Sequence, residues 1–159
     1  MSGGYVMKRI VAVLCVVVLM LSLGACTSKT PKTAAEFTQI MESAGFTVTD
    51  ESDSANGMEY YITSLHMAEG EDYDFEFCVF DDVESAEGLF KYLKENMDDK
   101  YPVGAITTSV SIGNYSYYTL SVDGNFYLLS RIDNTLLCCE AYEINKDEVI
   151  GHVEKLGYK

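Results

Sequence analysis

Apolar and polar positions along this chain follow two different periods, and the period divides it into helices and strands. Phe37, Ile40, Met41 and Ala44 recur at helical spacing, behind a Thr33-x-x-Glu36 capping box and ahead of Gly45. A second helix is predicted from Asp82, burying Ala86, Leu89, Phe90, Leu93 and Met97 and ending before Tyr101-Pro102. The third starts from an Asn145 cap, with Glu148 three residues on, and runs through Val149, Ile150, Val153 and Leu156 to Gly157.

Strand patterns fill the rest. Residues 46–49 read as a strand, and Asn56-Gly57 turns the chain back into residues 58–67. After a turn over 69–72, residues 73–81 alternate, with Phe75, Phe77 and Val79 on one face and Asp74, Glu76 and Cys78 on the other. Beyond the second helix, Gly113-Asn114, Asp123-Gly124 and Asp133-Asn134 break closely spaced strands into a meander.

The Asp123-Gly124 turn sets the register. A two-residue loop pairs Leu120 with Tyr127 and Ser121 with Phe126, mixing the faces. A three-residue loop with a bulge at Gly124 gathers Tyr118, Leu120, Val122, Phe126, Leu128 and Ile132 on one face, and this register is expected. Carried across Asp133-Asn134, it turns Leu137, Cys139 and Ala141 inward. The expected fold is therefore α+β in two layers, a mostly meander antiparallel sheet of about six to seven strands with three helices packed on one face.

The other face would hold Tyr115, Tyr117, Tyr127, Leu129 and Tyr142, with Leu136 and Cys138, beside Arg131 and Glu140. Tyrosine favours strands and suits half-exposed positions. It is also enriched where proteins bind, so Tyr115, Tyr117, Tyr127, Leu129, Arg131 and Tyr142 form the candidate contact surface. Arg131 either pairs with a nearby carboxylate or anchors an acidic ligand.

Ahead of these elements, Lys8 and Arg9 precede an apolar run from Ile10 to Leu21, and small residues follow at Ser22, Gly24 and Ala25. That order is the order of a secretory signal. The run is too short for a membrane span, which needs roughly 20 apolar residues. Either Met1 or Met7 serves as a start. Leu23-Gly24-Ala25-Cys26 resembles the lipobox of bacterial lipoproteins. The resemblance implies a diacylated thiol on Cys26, cleavage before it, and a protein held on the outer face of the cytoplasmic membrane. The expected organisation is a signal over 1–25, a lipid-anchored tether over 26–32 and one domain over 33–159.

The acidic balance excludes one partner class. The chain carries 11 basic and 25 acidic residues; without Lys8 and Arg9 the net charge is −16. Such a surface repels phosphate backbones, so nucleic acid is not expected as a partner. The densest acid, Glu69-Gly-Glu-Asp-Tyr-Asp-Phe-Glu76, lacks the ligand order of a calcium loop and reads as a solvated turn and strand face.

Past Cys26, three thiols remain, Cys78, Cys138 and Cys139, an odd set that cannot complete a disulfide framework. Cys138 and Cys139 are expected on opposite faces and so not bonded to each other; the thiols are expected as buried or half-buried small apolar groups, with a Cys78–Cys138 bridge open if their strands are neighbours. His66 and His152 lie far from the cysteines in sequence, so neither zinc nor another cofactor is expected.

The segments TAAEFTQIMESAGFTVTD, SIGNYSYYTLSVDGNFYLLSRIDNTLLC and KDEVIGHVEKLGY resemble small lipoproteins of Gram-positive gut anaerobes. The resemblance covers most of the chain beyond Cys26. It implies a lipoprotein with one domain and brings no functional residue with it.

No nucleophile motif, phosphate loop, dinucleotide fingerprint or H-E-x-x-H occurs. His66 reads as a strand-end residue and His152 lies near the apolar stripe of the last helix. The expected function is a non-catalytic, extracytoplasmic binding or interaction module, attached to the membrane through Cys26 and meeting a protein, peptide or glycan. The alternatives are an extracellular hydrolase using paired carboxylates, or an inhibitor of a secreted enzyme.

Overall fold

The computed structural model describes residues 28–55 and 61–159. The expected signal, Cys26 and the turn expected at Asn56-Gly57 lie outside the described residues. Among the described residues three helices, α1 (Ala34–Ser43), α2 (Val83–Lys100) and α3 (Lys146–Leu156), accompany seven strands. These are β1 (Thr47–Asp50), β2 (Ile62–Glu69), β3 (Asp74–Phe80), β4 (Ile106–Ile112), β5 (Tyr115–Val122), β6 (Asn125–Ile132) and β7 (Thr135–Tyr142). They form one antiparallel sheet in the order β1-β2-β3-β7-β6-β5-β4. The fold is α+β, with two meanders that meet where β3 pairs with β7.

Local chemistry sets the helix ends. Thr33 and Glu36 close a full capping box on α1, and the Asp82 carboxylate accepts from the Ser85 amide to start α2. Gly157, at a φ of 84°, ends α3 while the Tyr158 amide donates back to the Val153 carbonyl. Asn145 is not the expected side-chain cap. A short 3₁₀ turn over Glu143–Asn145 leads into α3, and the Asn145 side chain makes no capping bond.

The helices do not share one face. Phe37 and Met41 of α1 and Val149, Val153 and Leu156 of α3 bury Phe75, Phe77, Phe126, Leu128 and Leu137. Helix α2 lies on the opposite face, packing Phe90, Leu93 and Met97 over Tyr118, Leu120 and Leu129. Its first turns cover Cys78, Phe80 and Leu136. Three layers result, because the central strands are covered on both sides: every residue of β6 from Phe126 to Ile132 is buried, Ser130 and Arg131 included.

The register at Asp123-Gly124 follows from the same cause. Leu120 pairs with Tyr127, Ser121 with Phe126 and Val122 with Asn125, so the loop has two residues and no bulge. Asp123 and Gly124 both take positive φ, 50° and 79°, the signature of a type I′ turn. Tyr118, Leu120 and Val122 therefore face α2, while Phe126, Leu128, Ile132, Leu137, Cys139 and Ala141 face α1 and α3. With both faces covered, mixing the apolar sets carries no penalty.

Candidate functional site

Helix α2 covers the middle of its face and leaves the β2–β3–β7 corner open. There the pairing is Met67 with Glu76, Glu76 with Cys138, Asp74 with Glu140, and Glu140 with Tyr127. Three carboxylates thus stand on neighbouring positions of β3 and β7, facing the same side. Leu93 and Met97 of α2 rise beside them, and the open groove has a volume of about 480 Å³. One wall is acidic and the other apolar.

Among the described residues, no lysine or arginine lies within ion-pair distance of Asp74, Glu76 or Glu140. Burial within the groove, followed by the charges of Asp74 and Glu140, pushes the Glu76 carboxyl above the usual carboxylate range. At the rim the Tyr101 and Tyr127 hydroxyls lie 3.2 Å apart. That contact, burial and the Glu140 charge raise the Tyr127 hydroxyl. Lys100, over the Tyr101 ring at the rim, feels the Glu140 charge without reaching ion-pair distance, and the groove offers a further cation three oxygen-bearing side chains.

The six residues expected as one contact surface are divided by the sheet. Tyr115 and Tyr117 lie on the α1/α3 side, Tyr117 buried and Tyr115 partly so. Tyr127, Leu129 and Arg131 lie buried on the α2 side, and of the six only Tyr142 is exposed, at 67%. No single free aromatic face exists, because α2 occupies the side that had been expected to stay open. Of the six, Tyr127 and Leu129 line the groove.

Arg131 pairs with a carboxylate, Glu87 on α2, at 3.1 Å, and donates to the Asp133 carbonyl at 2.9 Å. It joins helix to sheet. His66 lies within β2, not at a strand end, with Nδ1 3.5 Å from Thr38 Oγ1. His152 packs edge-on against Phe46 at 5.3 Å, with Glu148 3.9 Å from its Nε2. Burial lowers its pKa, and the charge of Lys155 adds to that effect. A smaller hollow of about 250 Å³ lies over His152, Glu148 and Tyr73.

All three described thiols are free, with Cys138 and Cys139 on opposite faces. Cys26, the lipidation candidate, lies outside the described residues. No group of three or more His, Cys, Asp or Glu side chains among the described residues is arranged to hold a metal ion. No described helix is long and apolar enough to cross a membrane.

The groove acids were written into the alternation of residues 73–81, which set Asp74 and Glu76 opposite Phe75 and Phe77. What the sequence did not display was the apolar wall that α2 brings to them.

No family model and no curated protein sequence matches this chain. Its fold is similar to the crystal structure of a GTP binding regulator from Thermotoga maritima, with a TM-score of 0.50. The match covers 80% of this chain and 87% of that one at 16% sequence identity, a likeness of fold alone.

Proposed function

We propose that this protein is a lipid-anchored, extracytoplasmic binding module whose α2-side groove receives a cationic side chain of a partner peptide or protein. The supporting observation is the groove itself, with Asp74, Glu76 and Glu140, none of them in an ion pair among the described residues, on one wall and Leu93 and Met97 on the other. A lysine side chain has that division, an ammonium on an aliphatic stem. The ammonium would meet the carboxylates while the stem covers the apolar wall, and Tyr127 would lie beside the charge. A nucleotide phosphate is the wrong sign for this wall.

The test is calorimetric titration with lysine-bearing peptides and matched peptides carrying norleucine in place of lysine. Binding should weaken with salt. It should strengthen as pH rises and Glu76 ionises. Glu76→Gln combined with Glu140→Gln should lower affinity about tenfold or more. Equal binding of the norleucine peptide, or an unchanged affinity in the folded double variant, rejects the groove as the site.

One observation favours a second reading. Glu76, its pKa raised by burial beside Asp74 and Glu140, has the character of the acid half of a carboxylate pair for glycosyl transfer to water. Release of reducing sugar from a glycan panel, lost in Glu76→Gln, would support this reading over simple binding.

A further inference from the structure

The polar segment before α1 does not hang free. The Lys29 amide donates to Asn114 Oδ1 at 3.1 Å, and Asn114 Nδ2 donates to the Lys29 carbonyl at 2.7 Å. The Lys29 ammonium donates to the carbonyls of Gly157 and Lys159 at 3.0 and 2.7 Å, and stands 4.3 Å over the Tyr115 ring. Three residues on, the Lys32 amide donates to the Tyr158 hydroxyl at 3.3 Å. Asn114 is itself tied down, since its carbonyl accepts from the Asp133 amide at 2.9 Å. Segment, two hairpin turns and the residues after α3 are thus pinned together at one end of the sheet.

Thr27 and Ser28 are all that separates Cys26 from this clamp. Three Cα steps reach at most about 11 Å. The strand directions give the clamped end its opposite. β5 starts at Tyr115 and β7 at Thr135 beside the clamp, whereas β3 starts with Asp74 and β7 finishes past Glu140 at the far end. A strand of this length spans roughly 25 Å.

We propose that the Lys29–Asn114 clamp fixes the domain upright on the lipid surface. The Gly113-Asn114 and Asp133-Asn134 turns lie against the headgroups, and the acidic groove opens away from them. This rests on lipid attachment at Cys26. It deepens the proposed function by assigning the groove's partner to the space outside the membrane: a cationic segment arrives from there, not from the bilayer.

The lipidated protein, isoleucine-methyl labelled, is placed in phosphatidylcholine nanodiscs doped with a gadolinium-chelate headgroup lipid. Ile112 ends β4 beside the clamp, while Ile106 starts the same strand at the other end and Ile144 follows β7. All three side chains are exposed. Paramagnetic broadening falls with the sixth power of distance, so over ~20 Å of strand Ile112 should broaden about tenfold or more beyond Ile106 and Ile144. Asn114→Ala together with Lys29→Ser should collapse that gradient.

Equal broadening at the three methyls, or a gradient that survives the double substitution, overturns the clamp. Mass spectrometry of the native protein decides the attachment separately. Should Cys26 carry no lipid, the anchoring reading falls, and the chain from Cys26 coupled to a maleimide lipid still tests the orientation.

Discussion

Arg131 and Glu87 meet at 3.1 Å across the α2–sheet interface with very unequal exposure, 2% for the arginine side chain and 58% for the glutamate. The guanidinium cannot shed its proton, so Glu87 neutralises a charge that is already out of water. Nη1 and Nη2 have the Asp133 carbonyl and, at 3.5 Å, Ser116 Oγ as further partners, but Nε is buried without one. Glu87→Gln should therefore cost about 1–3 kcal/mol, far more than an exposed surface change. Adding Arg131→Met should recover part of that loss, because it removes the stranded charge and keeps the apolar bulk. Urea denaturation of the two variants checks this; a double variant less stable than Glu87→Gln would contradict it.

Glu76 gives the groove a pH dependence of known sign. Its folded-state pKa is raised above the ordinary carboxylate value, by burial first and by Asp74 and Glu140 second. The folded state therefore binds the proton more tightly than the unfolded chain. Stability falls as pH rises from below the ordinary value through the raised one, and levels off above it. Glu76→Gln should raise the melting temperature at neutral pH and leave it unchanged in strong acid. An equal shift at both pH values would point to packing instead of charge.

Which parts of this fold the sequence displayed follows from what each pattern depends on. The capping box at Thr33 and Glu36, the helix start at Asp82 and the Gly157 stop involve neighbours within a few residues, and all three formed. The turn at Asp123-Gly124 was equally legible as a type I′ signal, yet the face argument set it aside. That argument assumed a sheet with one wet side. Phe126, Leu128 and Ile132 and their alternates Tyr127 and Leu129 are all apolar, so period two cannot say which set is covered when both are. Asp74 and Glu76 were legible on one face of β3. The α2 wall beside them and the Lys29 clamp, set by Asn114 85 residues away, depend on the packed chain.

Tyr118 holds the far end of α2 to the sheet through a hydroxyl that donates to Asp98 Oδ1 at 2.6 Å. Lys94, 2.6 Å from the other oxygen, and then Tyr118 lower the Asp98 pKa. This contribution is complete above the ordinary carboxylate value and is lost as pH falls through the lowered folded value. Tyr118→Phe keeps the buried ring and removes only the hydroxyl. It should cost about 1 kcal/mol at neutral pH, given the partial exposure of Asp98, and the difference from the parent should shrink in acid. Chemical denaturation at several pH values reads both effects; a loss independent of pH would locate the role of the hydroxyl elsewhere.

The three thiols should behave as core groups even in an oxidising compartment. Burial and then Glu76 push the Cys78 thiol up to about 12. Burial also holds Cys138 well above its ordinary value and raises Cys139. Alkylation and disulfide exchange need the thiolate, so all three, including Cys138, which is partly exposed at the groove, should react with iodoacetamide slowly until the sheet opens. Cys78 and Cys138 share a face, but Cys78 pairs with Leu136 and Cys138 with Glu76, which makes the two thiols diagonal neighbours. Diagonal Cα atoms lie about 7–8 Å apart, at or beyond the reach of a disulfide. Oxidised glutathione should therefore leave the mass of the folded domain unchanged, with all three thiols modified at one rate that climbs with urea. A single thiol alkylated as fast in the folded protein as in the unfolded chain, or a loss of two hydrogens on oxidation, would show that this corner of the sheet opens or shifts more readily than its packing implies.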